Sequence, residues 1–398
     1  MNIFPIRSAT RSTLQTLSAL FVLLFAQKAS AELCSARPNP VYVNGGGSVL
    51  VESLGKLLAS ENTTLIYKKQ GSCAAVDSIL NGTPLMGTLA TNDGGVYWDA
   101  TTAHDCDFDP TGNVSDIGIS DVFPSTCSSL PNGLPSDVGD YLGPVEAYGF
   151  AVPSASTQRV ISRDAAYFVF GFGADSGVEP WTDPTSIFIR DVDSGTQRML
   201  GLATGVDVAK WKGTPATSSS DLVNKLNMAV DKERAIGILA SEVAIVNELV
   251  VQVLAYQDAD QSCGYTMDST PTTRDKANVR DGHYPIWGPF HILTKLDANG
   301  YPLKAVAADF KAYAVGTKDP AGLDLVKVLA TAGLIPECAM HVTRDTEMGA
   351  LVSFQPPRSC GCYFDSLTKG ASTCTACMSN TDCPDATPAC NYGYCEVK

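Results

Sequence analysis

The sequence predicts an α/β protein built on an open sheet, exported from the cytoplasm and finished by a small disulfide-stapled module. Three observations predict it. Short β-rich runs are repeatedly followed by a tight Gly/Ser/Thr turn and then by apolar residues at helical spacing, the pattern of an open α/β sheet with ligands at the carboxyl ends of its strands. The first 31 residues read as a secretory signal. All 13 cysteines lie beyond it, seven of them crowded between Cys360 and Cys395.

Each element follows from local pattern. In the signal, Arg7 and Arg11 form the positive start, Leu17 to Ala26 the apolar stretch and Ala29-Ser30-Ala31 the cleavage site, so the mature chain is expected to start at Glu32. Leu33 stands where a lipobox needs a small residue, which argues against a lipid on Cys34. Val41 to Asn44 predicts a strand, Gly45-Gly46-Gly47 a turn and Ser48 the start of a helix through Leu58. Thr64 to Lys68 is a second strand, followed by Gly71-Ser72 and a helix over Ala74 to Leu80. Asp116 to Ile119 is a third strand, ending in Ser120-Asp121. Ser186 to Arg190 is a fourth, followed by Asp193-Ser194-Gly195-Thr196 and a helix over Gln197 to Ala203. Later helices are expected over Ser219 to Ala229, Ala240 to Val253 and Ala321 to Thr331. The Pro356-Pro357 pair marks a linker. Beyond it the tail lacks apolar periodicity, so its stability is expected to come from cross-links and the tail to be separable. A zinc site at Cys374-x-x-Cys377 is the lesser alternative, because the tail has no His. Thirteen is odd, so one cysteine is expected to be unpaired within the chain.

Charge excludes two partner classes. Lys and Arg total 28 against 42 Asp and Glu, and removing residues 1–31 takes away Arg7, Arg11 and Lys28, leaving a net charge of 25 − 42 = −17. Such a chain offers neither nucleic acid nor anionic lipid an electrostatic footprint. Catalytic signatures are absent: His104, His283, His291 and His341 are far apart in sequence, and neither G-x-S-x-G nor H-E-x-x-H occurs. No catalytic residue, metal or cofactor is therefore expected.

The chemistry concentrates in the turns. At Gly47-Ser48, Gly71-Ser72 and Ser194-Gly195-Thr196 a strand delivers a small hydroxyl-bearing turn to a helix start. There the first N–H groups lack internal partners and the helix dipole is positive. Each turn has an ordinary structural reading as a helix cap, but three together suit a compact oxyanion. Arg190 stands just before the last turn, where its guanidinium fork reaches either an oxyanion or a core carboxylate. Asp121 ends its strand at the same edge, as a helix cap or as an acceptor for a ligand proton.

In order along the chain, Asn44-Gly45-Gly46-Gly47-Ser48, Gly71-Ser72, Gly118-Ile119-Ser120-Asp121 and Arg190 to Thr196 resemble the ligand-site series of periplasmic phosphate-binding proteins of ABC transporters. The Asn-Gly-Gly-Gly start is similar to that of their DING relatives, and Tyr284-Pro285-Ile286 resembles the segment that crosses back between lobes. The resemblance spans roughly Val41 to Pro357. It implies a two-lobed type II periplasmic-binding-protein fold, with mixed sheets flanked by helices, and a small disulfide-rich C-terminal module added. It also implies that Ser48, Ser72, Asp121, Arg190, Ser194, Gly195 and Thr196 surround the anion. Residues 33–147 and 287–357 would form one lobe, 148–286 the other and 358–398 the module, with Tyr148 to Val152 and Ile286 to Leu293 as hinges.

The implied ligand is inorganic phosphate or a related tetrahedral oxyanion, the implied partner an ABC transporter permease, and the implied location periplasmic or secreted. Two departures stand out. Val49-Leu50 follows Ser48 where the family has Thr followed by Phe, and Cys73 follows Ser72 where the family has a second Ser; a bridge from Cys73 to Cys34 would stiffen that loop. The tail's own partner is not specified. A secreted or surface interaction protein that uses the tail, and a secreted phosphatase-like enzyme, are the competing classes.

Overall fold

The structure, a computed structural model, describes residues 32–397. The signal peptide expected over 1–31 lies outside the described residues. Among these residues, no helix is long and apolar enough to cross a membrane.

Nine strands form one mixed sheet in the order Gly237–Ala240, Val138–Pro153, Trp287–Lys295, Ile117–Ser120, Pro40–Gly45, Thr64–Lys69, Gly95–Trp98 and Ala103–Cys106, with Val251–Val253 also paired to Val138–Pro153. Pro40–Gly45 runs parallel to both its neighbours. The Val138–Pro153 strand changes partners midway. Val138 to Ala147 pairs antiparallel with Trp287–Lys295, whereas Tyr148 to Ala151 pairs with Gly237–Ala240. It therefore belongs to both halves of the fold, and Ile286 keeps it company at the changeover, accepting a hydrogen bond from Tyr148 N at 2.9 Å.

Apolar side chains gather on two sides of this changeover. Helix Ser48–Ala59 buries Leu50, Leu54 and Leu58, one per turn, against Phe290 and Phe310. The second cluster holds Tyr148, Phe150, Phe170, Trp181, Met199 and Leu239. Each fully buried side chain of this size contributes about 1.5–3 kcal/mol by leaving water.

Local pattern located most elements within a residue or two. Two expectations fail: the helix expected over Ala321 to Thr331 starts only at Leu325, where Asp324 caps it by accepting from Lys327 N, and the helix over Ala240 to Val253 is instead helix Ser241–Val246 followed by strand Val251–Val253. The β-branched run Val250-Val251-Gln252-Val253 favours a strand once an antiparallel partner is present, and Val138–Pro153 supplies it.

The cysteines pair as Cys34–Cys106, Cys73–Cys127, Cys338–Cys360, Cys362–Cys374, Cys377–Cys390 and Cys383–Cys395. The Cys73 loop is thus bridged, to Cys127 rather than to Cys34. Cys34 is held beside Ala103–Cys106 by its N–H on Asp107 O, and Cys73, the second residue of helix Ser72–Leu80, faces Pro124–Cys127. Exposed Cys263 is the odd thiol. Cys374 and Cys377 belong to different disulfides, which leaves that pair no thiolate for zinc.

The tail is cross-linked as expected, and it also docks on the body. It contains helix Gly361–Lys369, whose Phe364 is fully buried in the second apolar cluster together with Cys360. Arg280 fastens it to the body: Nη1 donates to Asp365 at 2.6 Å, Nε donates to Ala339 O at 2.7 Å, and the guanidinium lies 5.1 Å from the Phe364 ring centre. Phe364→Ala is therefore expected to lose about 3–5 kcal/mol of stability. Removal of residues 358–398 should lose more, because the Cys338–Cys360 bridge goes too. Thermal unfolding of both variants checks this; an unchanged melting temperature for Phe364→Ala would refute the docking role.

Candidate functional site

The site is built from four strand ends. At the first, Gly45 has φ +120°, and a Cβ there would lie 2.0 Å from Ile119 O, so only glycine allows the backbones to approach. Gly46 N donates to that same carbonyl at 2.9 Å, which binds the glycine turn to the end of Ile117–Ser120. The turn then delivers Ser48 as the first residue of helix Ser48–Ala59. At the second strand end, Ser72 opens helix Ser72–Leu80, is 1% exposed, and accepts a hydrogen bond from Asp121 N at 3.1 Å. At the third, Asp121 follows Ile117–Ser120. At the fourth, Ser194 caps helix Gly195–Thr204, its hydroxyl accepting from Gln197 N at 3.5 Å.

These ends meet. A Cβ on Gly195 would fall 2.2 Å from Ser72 Oγ and 2.6 Å from Asp121 Oδ2, and one on Gly71 would fall 2.5 Å from Asp193 O. Cys73 N donates to Asp193 O at 3.4 Å across the same gap. Ser72, Asp121, Ser194 and Gly195 thus converge, and buried Thr196 lies in the same helical turn. Gly195→Ala is expected to lower the melting temperature, because the added methyl must displace buried Ser72 or Asp121, at an overpacking cost of about 1–3 kcal/mol; thermal unfolding checks this.

Arg190 and Ser48 stand differently. The Arg190 side chain is 14% exposed, and Nη1 donates to Ser219 Oγ at 2.7 Å. Its Nη2 lies 3.5 Å from Asp191, and its Nε is buried without a hydrogen-bond partner. The backbone N of Arg190 donates to Gln197 Oε1 at 2.7 Å, which fixes the residue to the helix it precedes. Ser48 donates to Glu242 Oε1 at 3.5 Å rather than to any other expected site residue.

Electrostatics set the chemistry. Burial pushes the Asp121 carboxyl up to about 6, against the opposing pull of the Ser72 hydroxyl, Arg190, Lys69 and His291. In its ionised form Asp121 acts as an acceptor. Glu146 and Glu242 complete an acidic group that local pattern did not reveal. Burial, and then the charges of Glu242 and Asp121, hold the Glu146 carboxyl well above its ordinary range. Burial also raises Glu242. The hydroxyl of Tyr148 donates to Asp121 O at 3.4 Å, and that of Tyr67 donates to Gly45 O at 2.7 Å. A signal for Glu242 existed: Gly237–Ala240 followed by Ser241-Glu242 at a helix start repeats the strand, hydroxyl, helix unit of the other loops.

No protein-family model matches the chain, and no curated protein matches it. Solved structures do. A protein of Clostridium perfringens described as a phosphate ABC transporter substrate-binding protein with bound phosphate matches at a TM-score of 0.50 and 12% identity, over 75% of this chain and 99% of its own. An ABC-type phosphate transport receptor from Vibrio cholerae has a TM-score of 0.47 at 14% identity, over 74% and 99% of the two chains. An ancestral soluble variant of the Human Phosphate Binding Protein has a TM-score of 0.47 at 13% identity, over 75% and 90%. The likeness to the first establishes the fold, as the order of motifs implied.

Proposed function

We propose that the protein captures inorganic phosphate, or a related tetrahedral oxyanion, between two lobes formed by residues 33–147 with 287–357 and by 148–286. The observation that carries this is the convergence of the Ser72 hydroxyl, the Asp121 carboxylate and the first turn of helix Gly195–Thr204 on one point, with no room for a Cβ at Gly195. In this reading the backbone N–H groups and hydroxyls of Ser72, Ser194, Gly195 and Thr196 donate to the anion, and Ser48 joins them from the first helix. The Arg190 guanidinium supplies charge, and Asp121 accepts a ligand proton. Lobe closure follows from one anion satisfying donors on both sides. The net charge of −17 does not oppose this, because salt screens surface charge beyond about 8 Å while dipoles within the cleft act at contact distance.

Six disulfides among the described residues suit an oxidising compartment, and with the signal sequence they support a periplasmic or secreted location. Delivery to an ABC transporter permease belongs to the same proposal and rests on the fold. Ion analysis of natively purified protein, followed by titration with phosphate, is the test. Stoichiometric phosphate is expected; material that neither carries nor binds phosphate or arsenate would sink the reading.

A further inference from the structure

A single proton acceptor leaves two observations about Glu242 unexplained. Its Oε1 takes the hydroxyl of Ser48, a residue on the opposite side of the proposed cleft, and its Oε2 is buried with no hydrogen-bond partner. An unpartnered buried carboxylate oxygen is costly unless something donates to it. Backbone geometry fixes its place, because Glu242 is the second residue of helix Ser241–Val246, which directly follows strand Gly237–Ala240, and its N donates to Glu146 Oε1 at 3.4 Å.

Resting on the phosphate reading above, we propose that Glu242 is a second proton acceptor in the cleft, so that the protein selects the doubly protonated monoanion of phosphate, one ligand proton going to Asp121 and the other to Glu242. Every group facing Glu242 bears on this. Burial, the largest influence, and then Asp121 after Ile117–Ser120 oppose its ionised form, whereas Lys69 at the end of Thr64–Lys69 and Ser48 on helix Ser48–Ala59 favour it. Glu146 on Val138–Pro153 feels its charge, as do the hydroxyls of Tyr67 and Tyr148. Glu146 is the deepest of the three carboxyls, 3% exposed; burial holds it well above its ordinary range, and its Oε1 already accepts from Glu242 N. That leaves Asp121 and Glu242 as the two acceptors.

Proton accounting makes the proposal measurable. Above neutral pH free phosphate is mostly the dianion, which carries one proton. Filling two acceptors needs two, so each phosphate captured draws one proton from solvent, and affinity falls about tenfold per pH unit. In Glu242→Gln the amide donates to an unprotonated ligand oxygen, so the dianion fits as it is.

The experiment is calorimetric titration of the full mature chain with inorganic phosphate near pH 8, in buffers of different ionisation heat. About one proton taken up per phosphate is expected for the wild type and for Glu146→Gln, and almost none for Glu242→Gln. Wild-type binding without uptake overturns the proposal and leaves the phosphate reading standing, and this arm decides even if a variant fails to fold. Uptake that persists in Glu242→Gln, or disappears in Glu146→Gln alone, also overturns it. No phosphate binding at any pH removes the phosphate reading itself.

Discussion

Arg190→Lys is expected to bind phosphate at least about a hundredfold more weakly than the wild type, with a melting temperature shifted by only a few degrees. A charge-assisted hydrogen bond is worth about 1.5–3 kcal/mol, and an ammonium cannot reproduce two parallel bonds from one planar fork. Losing one such bond and weakening the other removes roughly 3 kcal/mol, which corresponds to about two decades in affinity. The fold should survive because the backbone bond from Arg190 N to Gln197 Oε1 does not involve the side chain. The Ser219 hydroxyl that accepts from Nη1 starts a helix at a half-buried position, where water can replace the lost donor. The buried Nε, without a partner, marks the guanidinium as incompletely satisfied by the protein. Calorimetry and thermal unfolding separate the outcomes. Unchanged affinity with a large drop in melting temperature would make Arg190 a structural ion-pair residue.

What the sequence made legible was local. The glycine turn before Ser48, the Ser72 turn, Asp121 and the Ser194 to Thr196 turn are each short units in which a strand, a small residue and a helix start lie within ten positions, so periodicity and capping chemistry reveal them without knowledge of the fold. Their convergence was not legible in any one unit; only their order along the chain implied it, through resemblance. Long-range choices escaped. Ser48 engages Glu242, 194 positions away, and Arg190 engages Ser219. The strand Val251–Val253 exists because Val138–Pro153 lies open beside it. The tail shows the same limit: Phe364 is buried in the body's cluster beneath Arg280, with Tyr363 and Leu367 of the same short helix packed against that cluster, a long-range docking that tail composition did not reveal.

The widest expected effect is on anion selectivity. Phosphate near neutral pH keeps at least one proton, and Asp121, whose carboxyl burial pushes up to about 6, accepts it in its ionised form. Sulfate has no proton to give, so one of its oxygens would face the carboxylate with lone pairs and like charge in a site from which water is excluded. A site built around such a hydrogen bond rejects the analogue lacking it by roughly 10⁴, so the wild type is expected to bind phosphate and arsenate and to refuse sulfate at about pH 8. Asp121→Asn should narrow the gap, because the amide can donate as well as accept. The pH dependence has a definite sign. As pH falls through about 6 the carboxyl gains a proton and can itself donate, so wild-type discrimination against sulfate should shrink. The same raised titration makes the ionised form a liability to the empty protein: stability is fully retained below the ordinary carboxylate range and is lost as pH rises through about 6. Ligand-free Asp121→Asn should therefore melt higher than the wild type near pH 8 and no higher near pH 4. Titration with the three anions at constant ionic strength, alongside melting curves at both pH values, checks the pair of expectations; wild-type sulfate binding within tenfold of phosphate would refute the role given to Asp121, whatever the melting curves show.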